Sequence, residues 1–129
     1  MISIIEEGSL RAGQEGFALS MRLPWYRSLP LSCIEHLEVV VDGVPVDPDA
    51  MSLVLNGREL ALAEIADLVE EYWFIQDSAI LKAAVPDRVK KGSKHQIDAV
   101  LAFRCPYIPV GPGKFLVRVS KYSGYQTAS

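Results

Sequence analysis

A chain of 129 residues with 50% hydrophobic and 22% charged side chains is long enough for one domain with a real core, and folding should bury roughly 68–70% of its extended surface. The net charge is −3 and the pI is near 5.3, with positive charge gathered only at Lys90, Lys91 and Lys94, so no basic stripe exists to displace counterions; nucleic acid and anionic membranes are excluded as expected partners. Residues 1–10 reach Glu6 and Glu7 without a basic start, and the longest apolar run, residues 99–103, is far too short for a span, so a cytoplasmic protein without a membrane segment is expected.

Alternation with period two dominates the chain. Phe17, Leu19, Met21 and Leu23 share one face of a predicted strand and Ala18, Ser20 and Arg22 the other. Pro24 ends it, because proline cannot donate to a ladder. The segment after it holds Trp25, Tyr26 and Arg27 between Pro24 and Pro30. Residues 37–41, Asp42-Gly43 and residues 44–46 read as a hairpin with a primed turn, and Asn56-Gly57 repeats the signal between residues 53–55 and 59–60. Ile65, Leu68, Val69 and Tyr72 lie at helical spacing with acidic residues between them, which predicts a short amphipathic helix over residues 63–72. Residues 79–85 follow as a strand closed by Pro86, and residues 89–95 as a turn. Residues 95–106 alternate again, with Val100 an apolar exception on the polar side, before a loop over residues 107–113 and a last strand from Lys114. Strands at roughly ten-residue spacing predict an all-β fold: an antiparallel β-sandwich of about eight strands with one short helical insertion, forming a single domain over residues 1–129.

Catalytic signatures are missing from the sequence. It has no G-x-S-x-G, H-E-x-x-H, P-loop or dinucleotide fingerprint, and Glu6-Glu7 and Glu70-Glu71 are adjacent pairs whose side chains diverge. Cys33, Cys105, His36 and His95 are donors of the kind zinc takes, but Cys33 and His36 stand three apart in a predicted strand and so face opposite ways; buried thiols and structural histidines are the expectation, with no catalytic and no metal-binding residue in this chain. Two strand ends instead echo one another: Arg22-Leu23-Pro24-Trp25-Tyr26 and Arg104-Cys105-Pro106-Tyr107. They suggest an aromatic rim at one end of the sandwich. Trp, Tyr and Arg are common anchors of interfaces, and flanking prolines lower the entropy lost on docking. The alternative is that Trp25 plugs the end of the sandwich, and pattern alone leaves both open. A positive mean hydropathy of +0.18 likewise admits a dense core or a permanent partner surface.

The residues of this rim carry a resemblance. Arg22, Pro24-Trp25-Tyr26-Arg27 and the run L-P-L-S-C-I-E over residues 29–35, then D-G, L-N-G-R-E, an acidic segment into E-Y-W-F, and finally Arg104, Pro106 and Tyr107, resemble the small (beta) subunit of bacterial C-glycoside deglycosidases. The similarity runs from about residue 17 to residue 107; Cys105 stands where that pattern has an aliphatic residue. The resemblance implies a β-sandwich in tight complex with a larger, TIM-barrel-like catalytic subunit that holds a divalent metal, usually manganese. Such a complex cleaves the C–C bond between sugar and aglycone of a 3-oxo C-glycoside. The ketone acidifies the proton at C2, and abstraction there gives an enediolate that expels the aglycone carbon from C1 as that carbon is protonated. On this reading the small subunit braces the barrel mouth and walls part of its pocket, with Pro24, Trp25, Tyr26, Arg27, Arg104, Pro106 and Tyr107 at the contact surface, and it carries no cofactor itself. A free-standing carbohydrate-binding module, with Trp25 and Tyr26 stacked on sugar faces, is the alternative; an immunoglobulin-like adhesion domain is disfavoured without a secretion signal.

Overall fold

Strand alternation becomes two facing sheets in the computed structural model, which describes residues 3–25, 28–74 and 77–129. Eleven strands occur among them: β1 (Arg11–Ala12), β2 (Phe17–Met21), β3 (Leu29–Pro30), β4 (Ile34–Val41), β5 (Val44–Pro45), β6 (Met51–Leu55), β7 (Arg58–Ala61), β8 (Tyr72–Trp73), β9 (Ala79–Ala83), β10 (Lys94–Gly111) and β11 (Lys114–Thr127). One sheet has the order β1-β2-β9-β6-β7 and the other β11-β10-β4-β5, while β3 and β8 form a short ribbon. All pairings are antiparallel.

Burial follows the alternation. Phe17, Leu19 and Met21 on β2, Leu53 on β6 and Leu81 on β9 meet Val39 and Val41 of β4 and Ile97, Leu101 and Phe103 of β10 in one contiguous apolar core. The all-β reading therefore holds, with seven strands of four or more residues and four of only two. Both primed turns form as the sequence predicts: Asp42 and Gly43 have φ of 51° and 81°, and Asn56 and Gly57 have 55° and 76°. No helix among the described residues is long and apolar enough to cross a membrane.

Two elements differ from expectation. The predicted helix over residues 63–72 is a six-residue 3-10 helix, Leu62–Asp67, in which only Ile65 is fully buried, and Tyr72 lies in β8. A lone amphipathic stretch of this length is marginal as an α-helix, and no side chain caps its start. The chain around β3 also competes for its carbonyls. The N–H of Leu31 donates to the oxygen of Glu71 at 2.7 Å and that of Ser32 to Leu68 at 3.2 Å, which draws residues 68–71 out of a helical path.

The predicted loop over residues 107–113 is instead the far end of β10, turning at Pro112 and Gly113 into β11. Strand β4 accompanies β10 only as far as the Ile34–Phe103 pair. Beyond that point β10 has β11 alone beside it, and the free edge tolerates Pro106 and Pro109, where the register with β11 is irregular. Residues 104–117 thus form a two-stranded arm, and the echo between residues 22–26 and 104–107 is one of sequence only: β2 ends at Met21, but β10 runs through Pro106.

Candidate docking site at the hairpin arm

Where β2 ends, Pro24 turns the chain so that Trp25 lies against the inner side of the arm; its own N–H donates to the oxygen of Leu23 at 2.9 Å. The half-buried indole meets Phe103 edge to face, with centroids 5.5 Å apart and planes at 65°. Its Nε1–H donates to the hydroxyl of Tyr107. Over the ring, the guanidinium of Arg118 stands 5.6 Å from the centroid, within cation–π range. Register explains the gathering: Phe103 and Arg118 face each other across β10 and β11, so their side chains share one face, the one toward Trp25.

Of the predicted rim, the structure brings Pro24, Trp25 and Tyr107 to one place. Arg104 is turned away. It follows Phe103, so the pleat sends it to the opposite face, where it bonds Glu35 Oε1 at 2.9 Å and the carbonyl of Ser32 at 3.2 Å. Pro106 is exposed on the arm. Tyr26 and Arg27 lie outside the described residues. Arg118 was not singled out by sequence reasoning. The signal was its offset from Phe103 across a tight turn, visible only if β10 is continued through its prolines.

The other candidate ligands and bases have structural partners. His95 is buried; its Nδ1 lies 2.7 Å from Asp42 Oδ2, and its Nε2 accepts from the N–H of Lys90 at 3.3 Å. That pairing places the proton on Nδ1. The hydrogen bond to His95, then the N–H of Gln96, holds the Asp42 carboxyl below the usual range. His36 contacts Glu38 at 3.3 Å on the surface. Cys33 and Cys105 are free and buried, and burial pushes the Cys105 thiol up despite Arg118 nearby. Among the described residues no three His, Cys, Asp or Glu side chains come together as a metal set.

A family model described as C-glycoside deglycosidase beta subunit matches residues 2–107. That span contains Trp25, Phe103 and Tyr107 but ends before β11. The 3'-dehydrocarminate deglycosidase beta subunit of Microbacterium sp is 43% identical over 107 residues, covering 83% of this chain and 80% of that protein. C-glycoside deglycosidase beta subunits of Microbacterium trichothecenolyticum and Arthrobacter globiformis are 35% and 36% identical, each over 81% of this chain and 79% of the relative.

Proposed function

This chain belongs to the C-glycoside deglycosidase beta subunit family, and on that premise we propose that it is the small, non-catalytic subunit of a heteromeric lyase that opens the C–C bond of 3-oxo C-glycosides in the cytoplasm. The observation that carries the reading is the family match over residues 2–107, supported by a relative at 43% identity. The partner is a larger, barrel-shaped subunit that supplies the base. A divalent metal there, manganese on the resemblance, supplies charge stabilisation to the substrate oxygens. The resemblance assigns the ligands of that metal to the larger chain.

In this proposal the small subunit braces the barrel mouth and walls part of its pocket with Trp25 and Tyr107. Their mutual hydrogen bond holds both before docking, and Phe103 also packs against Trp25, so little side-chain entropy is lost on assembly. A carbohydrate-binding module would need an open indole face, and Arg118 stands over that of Trp25, which counts against that alternative. Co-expression with the larger subunit tests the reading. A stable complex should form and turn over a 3-oxo C-glycoside, while the isolated chain should be inactive and show no calorimetric affinity for unmodified glycosides. Turnover by the isolated chain would refute it.

A further inference from the structure

We propose that Asn56 is a site of spontaneous deamidation, and that its conversion to a carboxylate unfastens the start of β8 from the tip of the β6–β7 hairpin. Asn56 is the only asparagine in the chain, and a glycine follows it. Deamidation begins when the backbone nitrogen of the next residue attacks the side-chain carbonyl carbon, and glycine, having no Cβ, hinders that approach least. The surroundings are open as well. A Cβ built on Gly57 would meet nothing within 4 Å, both turn residues are exposed, and the ladder closes at the Leu55–Arg58 pair, which leaves Gly57 outside it. The Asn56 amide is tethered: its Nδ2 donates to Glu71 Oε2 at 2.9 Å and to the carbonyl oxygen of Tyr72 at 2.8 Å, so one side chain ties the hairpin tip to β8. Arg58, next after the turn, bonds Glu71 too.

The reaction needs only water. A C–N bond forms from the Gly57 nitrogen to the Asn56 side-chain carbon, the proton of that nitrogen leaves with the side-chain amide group as ammonia, and a succinimide ring results. Water then adds at one ring carbonyl and reopens the ring, to aspartate or to isoaspartate, whose main chain runs through one extra carbon. The new carboxylate has no N–H to donate. It faces two acceptors, the Glu71 carboxylate and the Tyr72 oxygen, and the like charges repel. The tether therefore restrains the amide before reaction and is lost by it. The Asp42-Gly43 turn has the same positive φ angles but different chemistry. Its carboxylate accepts from the N–H of Gln96 at 2.9 Å, lies 2.7 Å from His95 Nδ1 and is held ionised, whereas loss of water from an aspartyl group needs the protonated acid.

The test incubates the full chain in mildly alkaline buffer and follows intact mass and peptide maps. The folded parent should gain one mass unit in the peptide that holds residue 56, with isoaspartate present there, and Asn56→Gln should not. Unfolded in urea, the parent should convert about tenfold faster than when folded. Glu71→Ala, which removes one tether, should convert about threefold faster than the parent, whereas Glu71→Gln keeps an acceptor oxygen and should stay near it. Asn56→Asp reads the consequence. Asp-Gly suits the turn as Asn-Gly does, so the hairpin remains, while exchange of the Leu31 N–H, which donates to the Glu71 oxygen at 2.7 Å, should quicken about tenfold. A folded parent that gains no mass while the urea-unfolded chain does overturns the site. Equal rates in the folded and unfolded parent overturn the restraint by the tether, a comparison that stands even if Glu71→Ala folds poorly. An Asn56→Asp chain in which the Leu31 N–H exchanges as in the parent overturns the unfastening of β8.

Discussion

Trp25 is held on three sides, by Phe103 at its edge, Tyr107 at its nitrogen and Arg118 over its ring, yet it remains half-buried. Such a residue should divide its energy between fold and partner. Trp25→Phe keeps an aromatic body and removes only the donor to Tyr107, so urea denaturation of the isolated chain should register a loss of about 1 kcal/mol. Trp25→Ala also removes the contact with Phe103, and about 2 kcal/mol is expected, below the loss typical of a fully buried Trp. A double-mutant cycle with Arg118→Ala should return a coupling of about 0.5–1 kcal/mol; a coupling of zero would mean that the cation–π contact is incidental. His95 behaves differently. Both ring nitrogens are engaged, by Asp42 and by the N–H of Lys90, so neither is available to substrate. His95→Ala should cost about 1–3 kcal/mol of stability through the stranded Asp42 and Lys90 groups, while kcat of the assembled enzyme, measured below the melting transition, stays unchanged.

Strand pairing at the start of β2 depends on a glycine that the hydrophobic pattern does not flag. Gly16 has φ of +153°, and a Cβ there would lie 1.8 Å from the carbonyl oxygen of Ala83, the last residue of β9. Backbone cannot yield as a flexible side chain does, so Gly16→Ala should destabilise the chain by about 3 kcal/mol, seen as a lower denaturation midpoint with unchanged slope. Unaltered stability would show that β2 and β9 can separate there freely. Elements governed by local chemistry were legible in the sequence: the Asp42-Gly43 and Asn56-Gly57 turns need positive φ, and β2, β4, β6 and β9 alternate because one face of each is buried. Elements governed by neighbours were not. Residues 63–72 have helical periodicity, but hydrogen bonds to Leu31 and Ser32 decide their path. Residues 107–111 look like a loop because prolines oppose a ladder, but β10 has no partner on that edge to need their donors. The Trp25–Tyr107 pairing was readable as an echo of motifs, whereas Arg118 and the outward turn of Arg104 follow from register, which no short motif records.

Titration of the whole molecule follows from groups spread over both sheets. Arg22 first, with Ser78, holds the Glu6 carboxyl below the usual carboxylate range; His95 does so for Asp42, and Asn56, then Arg58, for Glu71. A depressed carboxyl contributes stability that is present above its unfolded value and is lost as pH falls through its folded one. At the other limb, burial first raises the Cys105 thiol and the Tyr122 hydroxyl, the latter also bonded to Glu7 at 3.0 Å. A raised thiol or phenol favours folding below its unfolded value, and that contribution disappears as pH rises through the folded one. Denaturant midpoints taken across pH should therefore form a plateau from about pH 5.5 to 8.5 and fall on both sides. The limbs are separable by mutation. Asp42→Asn should lower the plateau and make the acid limb shallower, because one carboxyl no longer differs between folded and unfolded chains. Cys105→Val, which installs an aliphatic side chain that cannot ionise, should keep the plateau and move the onset of the alkaline fall upward, toward the range of Tyr122. Midpoints that stay level from pH 7 to 10 would mean that these buried groups ionise in the folded chain as easily as in the unfolded one, and that the core around β10 and β11 is open to water.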